Sequence, residues 1–293
     1  MYTQIKATAI SFKPKKWDKV SNAHQMDILV RKAASSKPDL ILTTEGALEG
    51  YVVMDVVEGK RKQEEMLKIA EPIDGPYIEH FKKLAKELNI CLCFGFAERI
   101  GQKVYNAAIF IDNSGYIRGK YHKTQLAEGT HESWKFNSIG KKIRSFDTPF
   151  GRAGFLICND RWNPEIARTL VLDGAQYLLI PSFGSKSREQ DKEVLARARE
   201  NGVPIIEANV GINLIVNKGE IVGYKRGNNQ ITTSFIEIPA YSSKKNAREA
   251  ENLYMQRQDK EMNKRYLETL KRMQGKPNLV GKASRGEIIH KQN

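Results

Sequence analysis

The segment Gly151-Arg-Ala-Gly-Phe-Leu-Ile-Cys158-Asn-Asp-Arg-Trp-Asn-Pro-Glu165 constrains the fold more than any other stretch of this 293-residue chain. Its small and apolar run, residues 153–157, reads as a buried strand that ends at Cys158. Polar Asn159, Asp160 and Arg161 follow, and Pro164 opens a helix with Ile166, Ala167, Leu170 and Val171 on one face. A strand-to-helix elbow of this kind lifts the thiol off the sheet edge and sets backbone N–H groups beside it, where a developing oxyanion can be held. The other reading of Cys158 is a buried, inert core thiol, because free cysteine is among the most buried residue types.

Around the elbow, strands are predicted at residues 5–10, 40–44, 90–98, 104–111, 116–121, 176–181 and 204–209, and helices at 19–36, 77–88 and 190–201. Asn113-Ser-Gly115 signals a hairpin. Asn217-Lys-Gly-Glu220 signals a second turn, joining a strand near residue 214 to one at 231–238. Strands that first alternate with helices and then form hairpins give mixed sheets, so the fold class is α/β: two sheets face to face with helices outside. After Pro239 the composition changes. Residues 1–240 are expected to form one domain, and 241–293 a basic helix (about 245–273) and tail. The helix is too poor in apolar residues to stand alone. Docking through Leu253, Tyr266, Leu267 and Leu270 and a loose solvated extension are the two readings of it.

The net charge of +14 raises the question of a nucleic-acid partner. About half of that excess lies in the last fifty or so residues, and no nucleic-acid-binding motif accompanies it. No apolar run reaches membrane-spanning length, and the N-terminus lacks a signal peptide's apolar core, so a cytoplasmic protein is expected. Three cysteines without framework spacing suit a reducing compartment. Cys91 and Cys93 fall on one face of an apolar strand and read as packing, since nothing nearby completes a metal site.

Glu45, Lys123 and Cys158 each follow a predicted strand, so the topology can bring them to one rim of the sheets although they are far apart in sequence. Taken singly, Glu45 also reads as a turn cap and Lys123 as a solvated loop lysine. A thiol is mostly protonated near pH 7 and needs a base, and a carboxylate and an ammonium at its side supply one and an oxyanion partner.

The chain resembles the nitrilase superfamily of carbon–nitrogen hydrolases, amidase and N-carbamoyl-amino-acid amidohydrolase-like branch, over roughly residues 3–238. The resemblance rests on Leu42-Thr-Thr-Glu45 with Gly50-Tyr51, on Gly95-Phe-Ala-Glu98 and Tyr105-Asn106, and on Tyr121-His-Lys123-Thr-Gln-Leu126. The block from Thr148 to Glu165, with Pro181-Ser182, Ala196 to Asn201 and Ala208-Asn209, completes it. It implies a four-layer α-β-β-α sandwich assembled as a homodimer or larger homo-oligomer. It also implies a Glu45–Lys123–Cys158 triad that cleaves a linear amide or N-carbamoyl compound through a thioester, with no cofactor and no metal. Many members carry a further glutamate between the lysine and cysteine blocks. Glu132 aligns best and Glu128 less well. Asn159, Arg161 and Tyr51 are the residues this resemblance assigns to substrate. Asn159-Asp160-Arg161 resembles the sequence after the nucleophile in N-carbamoyl-amino-acid hydrolases, where arginine can clamp a substrate carboxylate; a helix-capping or salt-bridging arginine is the alternative. A nitrilase acting on a small nitrile would use the same triad. The short stretch from Asn209 to Gly219 and the basic tail depart from the family pattern.

Overall fold

The computed structural model describes residues 2–131, 137–184, 186–240 and 246–274. Its first sheet is built from β1 (Tyr2–Ile10), β2 (Leu40–Leu42), β3 (Cys91–Ile100), β4 (Lys103–Ile111), β5 (Ile117–His122), the two-residue β6 (Asn137–Ser138) and β13 (Ile231–Pro239). The second contains β7 (Phe146–Thr148), β8 (Gly151–Phe155), β9 (Tyr177–Ser182), β10 (Ile205–Asn209), β11 (Ile212–Asn217) and β12 (Glu220–Arg226). The strand orders are β13-β1-β2-β3-β4-β5, with β6 on β4, and β12-β11-β10-β9-β8-β7. The centre of each sheet is parallel (β1 with β2 and β2 with β3; β8 with β9 and β9 with β10) and the flanks are antiparallel, except that the short β6 runs parallel to β4.

Burial on both faces explains why these strands read as continuous apolar runs. One face of each sheet meets the other sheet. Ala7, Leu42, Cys91, Cys93 and Phe110 pack there against Phe155, Tyr177, Leu179 and Ile206. The opposite face of the first sheet (Ile41, Leu92, Phe94) is covered by α1 (Lys19–Ala34) and α4 (Pro76–Leu88) through Met26, Val30, Phe81 and Leu84. That of the second (Leu156, Leu178, Leu214) is covered by α5 (Pro164–Leu172) and α6 (Arg188–Asn201) through Ile166, Leu170 and Val194. The four-layer α-β-β-α sandwich is therefore the fold. Cys91 and Cys93 are core thiols, and burial pushes Cys91 up to about 12.

Three features differ from the sequence expectation. Two short helices, α2 (Val53–Val57) and α3 (Gln63–Ile69), occupy a stretch that carried no prediction. The Asn217–Glu220 turn leads from β11 into β12, not directly into the strand at 231–238. The strand β12 lies at the sheet edge with Ile221, Val222 and Tyr224 facing outward, so no hydrophobic alternation marks it. Finally, α7 (Ala247–Gln274) does dock, but Leu253 (61 % exposed) and Leu267 (48 %) point away; the docked side carries Tyr254, Gln258, Met262, Thr269 and Met273. Among the described residues no helix is long and apolar enough to cross a membrane.

Candidate active site

The strand β2 delivers Glu45, β5 delivers Lys123, and β8 continues through Leu156 and Ile157 to Cys158. Glu45 lies beside β3 because Gly95 leaves the space: a Cβ there would come within 2.8 Å of the Glu45 Cα. Cys158 has φ +49°, a conformation that costs a non-glycine residue free energy and is typical of residues held at functional turns. A 3₁₀ turn, Cys158–Trp162, separates it from α5. Such a turn leaves its first backbone N–H groups without partners inside the helix. Asp160 secures the elbow by accepting from the Ile157 N–H and the Tyr121 hydroxyl, each at 2.9 Å. Burial, only partly offset by Lys123, pushes the Asp160 carboxyl up to about 6.

These three predicted residues meet. Lys123 Nζ donates to Glu45 Oε1 at 2.8 Å, and both side chains are fully buried. Asn106 Nδ2 donates to the same oxygen at 2.7 Å, and the Phe183 N–H donates to Glu45 Oε2 at 2.9 Å. The Phe183 carbonyl in turn faces Cys158 Sγ at 3.9 Å, so one residue's backbone touches both the carboxylate and the thiol. Burial, reinforced by the negative charge of Glu45, pushes the Cys158 thiol up, with Lys123 and Arg161 opposing. Burial works against the Lys123 charge, but Glu45, Cys158 and Asp160 together outweigh it and hold the ammonium above its ordinary value.

Around this centre, Tyr51 stacks on Phe183 with ring centroids 5.1 Å apart. With Glu49, Asn106, Glu128 and Asn137 it lines a cavity of about 20 Å³. Glu128 is buried, accepts from Asn137 Nδ2 at 2.6 Å, and its carboxyl is raised by burial with Lys123 opposing. It sits in the electrostatic field of both Glu45 and Lys123, a place the sequence comparison ranked second. Glu132 lies outside the described residues. Asn159 is buried beside the nucleophile, and neither polar atom of its side chain has a partner among the described residues.

Arg161 takes the salt-bridging alternative, with Glu207 as its partner, and not the carboxylate clamp. It is 1 % exposed, and its guanidinium is spent inside the protein. Nη1 pairs with Glu207, Nη2 donates to Ser182 Oγ at 2.7 Å, and Nε donates to the Cys158 carbonyl at 2.6 Å. It props the strained elbow from behind, leaving no free fork for a substrate carboxylate. Asn106 and Phe183 were missed as site residues. Asn106 was visible in the sequence only as part of the Tyr105-Asn106 match, and Phe183 acts through its backbone, which leaves no side-chain signature.

Glu49 carries a pH consequence. Burial, partly offset by the Ala97 N–H that donates to it at 3.0 Å, pushes its carboxyl from 4.5 up to about 7. The folded protein therefore binds this proton more tightly than the unfolded chain, and the group costs stability as pH rises from about 4.5 through about 7. Glu49→Gln should flatten that slope and raise stability at pH 8 by up to about 3 kcal/mol. Thermal melts of both proteins across pH 4–8 check this; parallel curves would refute it.

A model of the family described as carbon–nitrogen hydrolase matches residues 6–231. The chain belongs to the carbon–nitrogen hydrolase family. This hydrolase is 31% identical to the N-carbamoylputrescine amidase of Arabidopsis thaliana over 233 residues, 75% of this chain and 74% of that protein. It is 29% identical to the citrullinase of Francisella tularensis subsp. tularensis over 205 residues, covering 66% of this chain and 69% of that protein. Among solved structures it is similar to an amidase from Nesterenkonia sp. (TM-score 0.68, 19% identity, 85% of this chain and 96% of that one). It is also similar to the C. elegans NitFhit protein (TM-score 0.69, 20% identity, 87% of this chain and 64% of that one). Both share the sandwich. The chain is thus an enzyme of the amidase branch of the nitrilase superfamily.

Proposed function

We propose that this hydrolase cleaves a small linear amide or N-carbamoyl compound through a thioester on Cys158, with Glu45, Lys123 and Cys158 as the catalytic triad. The observation that carries the proposal is the hydrogen-bonded set in which Glu45 holds Lys123 with one oxygen and the Phe183 N–H with the other, while the Phe183 carbonyl faces the thiol. The raised thiol stays protonated at rest, so the attack needs a base. Glu45 takes the Cys158 proton as Sγ adds to the carbonyl carbon. The oxyanion is held by the Lys123 ammonium and the Asn159 N–H. Collapse of the adduct expels amine or ammonia, which leaves with the proton from Glu45. Water activated by Glu45 then cleaves the thioester to the acid and restores the thiol. Glu128, raised toward its neutral form, orders the Lys123 side of the pocket and serves as the further glutamate of the site; Tyr51 and Asn159 line the substrate side.

The choice of amide and N-carbamoyl substrates over nitriles follows the relatives, an N-carbamoylputrescine amidase and a citrullinase. The family habit of homo-oligomeric assembly and a cytoplasmic location complete the reading, and sedimentation of the full chain tests the first of these. Ammonia release from a panel of amides, N-carbamoyl compounds and nitriles tests the activity. Turnover of at least one amide or N-carbamoyl compound, lost in Cys158→Ala, is expected. Turnover of nitriles alone, or of none of the panel, would overturn the substrate class.

A further inference from the structure

The helix α7 begins well after residue 231, where the match to the family ends, yet its buried side is aimed at the segment that carries Lys123 and Glu128. Gln258 is fully buried. Its Nε2 donates to the carbonyl of Thr124, the residue after Lys123, at 2.8 Å, and to the Gly140 carbonyl at 2.9 Å. Its Oε1 accepts from Lys141 Nζ at 3.1 Å. The Tyr254 hydroxyl donates to the same Thr124 carbonyl at 3.2 Å. Gly140 closes the circle, because its N–H donates to the Lys123 carbonyl at 2.8 Å. At the far end of the segment, Gly129 lies against the helix backbone, where a Cβ would come within 2.4 Å of the Met262 carbonyl. His131 stacks on Tyr266 with ring centroids 4.2 Å apart. Glu251 accepts from the Ile143 N–H at 2.7 Å and pairs with Arg144, and Arg257 pairs with Glu165 at the start of α5.

The helix thus holds both ends of the 123–131 segment: Gln258 and Tyr254 donate to the Thr124 carbonyl beside Lys123, and Gly129 and His131 pack on its backbone and on Tyr266. Buried carbonyls so placed need a partner, and loss of the partner costs about 1–3 kcal/mol each, enough to let the segment relax to another position. We infer that α7 is a strap added outside the shared domain whose positioning residues, Gln258 first and Tyr254 second, hold the Lys123 ammonium against Glu45 and the thiol. The inference rests on the triad reading above. Displacing the ammonium removes the positive charge that opposes the rise of the Cys158 thiol, so the thiol becomes harder to ionise and slower to alkylate.

The test uses the full chain and iodoacetamide, following carbamidomethylation of Cys158 by peptide mass across pH 6–10, with thermal melts alongside. Lys123→Met serves as the reference. Gln258→Leu should slow alkylation at pH 8 at least fivefold and move its pH midpoint upward, in the direction of Lys123→Met, and Tyr254→Phe should do so less. If Gln258→Leu does not fold, Gln258→Glu, which keeps the shape and loses the amide donors, is expected to give the same shift. A Lys123→Met shift with wild-type profiles in the folded strap variants, whatever their melting temperatures, would overturn the strap. Unshifted Lys123→Met would overturn the triad reading, and the strap with it.

Discussion

Lys123→Met should lower turnover by at least 10²–10³-fold, the usual cost of removing one oxyanion donor, and should also destabilise the fold. Both effects follow from one contact. Lys123 Nζ lies 2.8 Å from Glu45 Oε1 with neither side chain exposed, so methionine leaves a carboxylate buried without its counter-charge. Breaking a buried pair in this way costs about 3–5 kcal/mol. Steady-state rates on a substrate found in the ammonia assay, with melts at pH 5 and pH 8, check both parts. A variant that keeps its rate would remove Lys123 from the chemistry. One that loses its rate with an unchanged melting temperature would contradict the coupling of charge to fold.

Arg161→Leu should destabilise the protein by about 3–5 kcal/mol, a drop in melting temperature on the order of 10 °C. The guanidinium is the counter-charge of Glu207, which is itself fully buried and accepts from Gln190 Nε2 at 3.0 Å. Its removal strands that carboxylate and frees the Cys158 carbonyl, so the strained elbow loses its prop. Turnover should fall through the maximal rate, with the Michaelis constant for carboxylate-bearing and neutral substrates changing alike. A stable variant with a Michaelis constant raised only for carboxylate-bearing substrates would restore the clamp reading.

Arg161 also shows where sequence reasoning stops. Glu207 is 46 positions away, and nothing in either segment announces the pair. The elbow itself was legible because its parts are local: an apolar run, a thiol, a proline three residues after the arginine. The run Cys91-Leu-Cys-Phe-Gly-Phe was legible for the same reason, as a strand buried on both faces. The edge strand β12 was not, since its outward side chains follow no burial pattern. The face of α7 was misread in part, for a chemical reason. Tyr266 docks as expected, on His131, but much of the helix binds backbone carbonyls and N–H groups, so polar Gln258 and Glu251 are buried while Leu253 and Leu267 face outward. Glu128 could be ranked only by alignment, because nothing in the irregular segment after β5 shows that its side chain turns inward to Asn137 and the field of Lys123.

The central claim is that Cys158 forms a covalent thioester whose making and breaking are managed by Glu45. Acid-quenched turnover by the wild-type enzyme at saturating substrate, followed by peptide mapping of the acyl mass, tests it most directly. The account predicts the adduct on the peptide containing Cys158, with Cys91 and Cys93 unmodified and no turnover in Cys158→Ala. An adduct on Cys91 or Cys93, or turnover by Cys158→Ala at the wild-type rate, would contradict it.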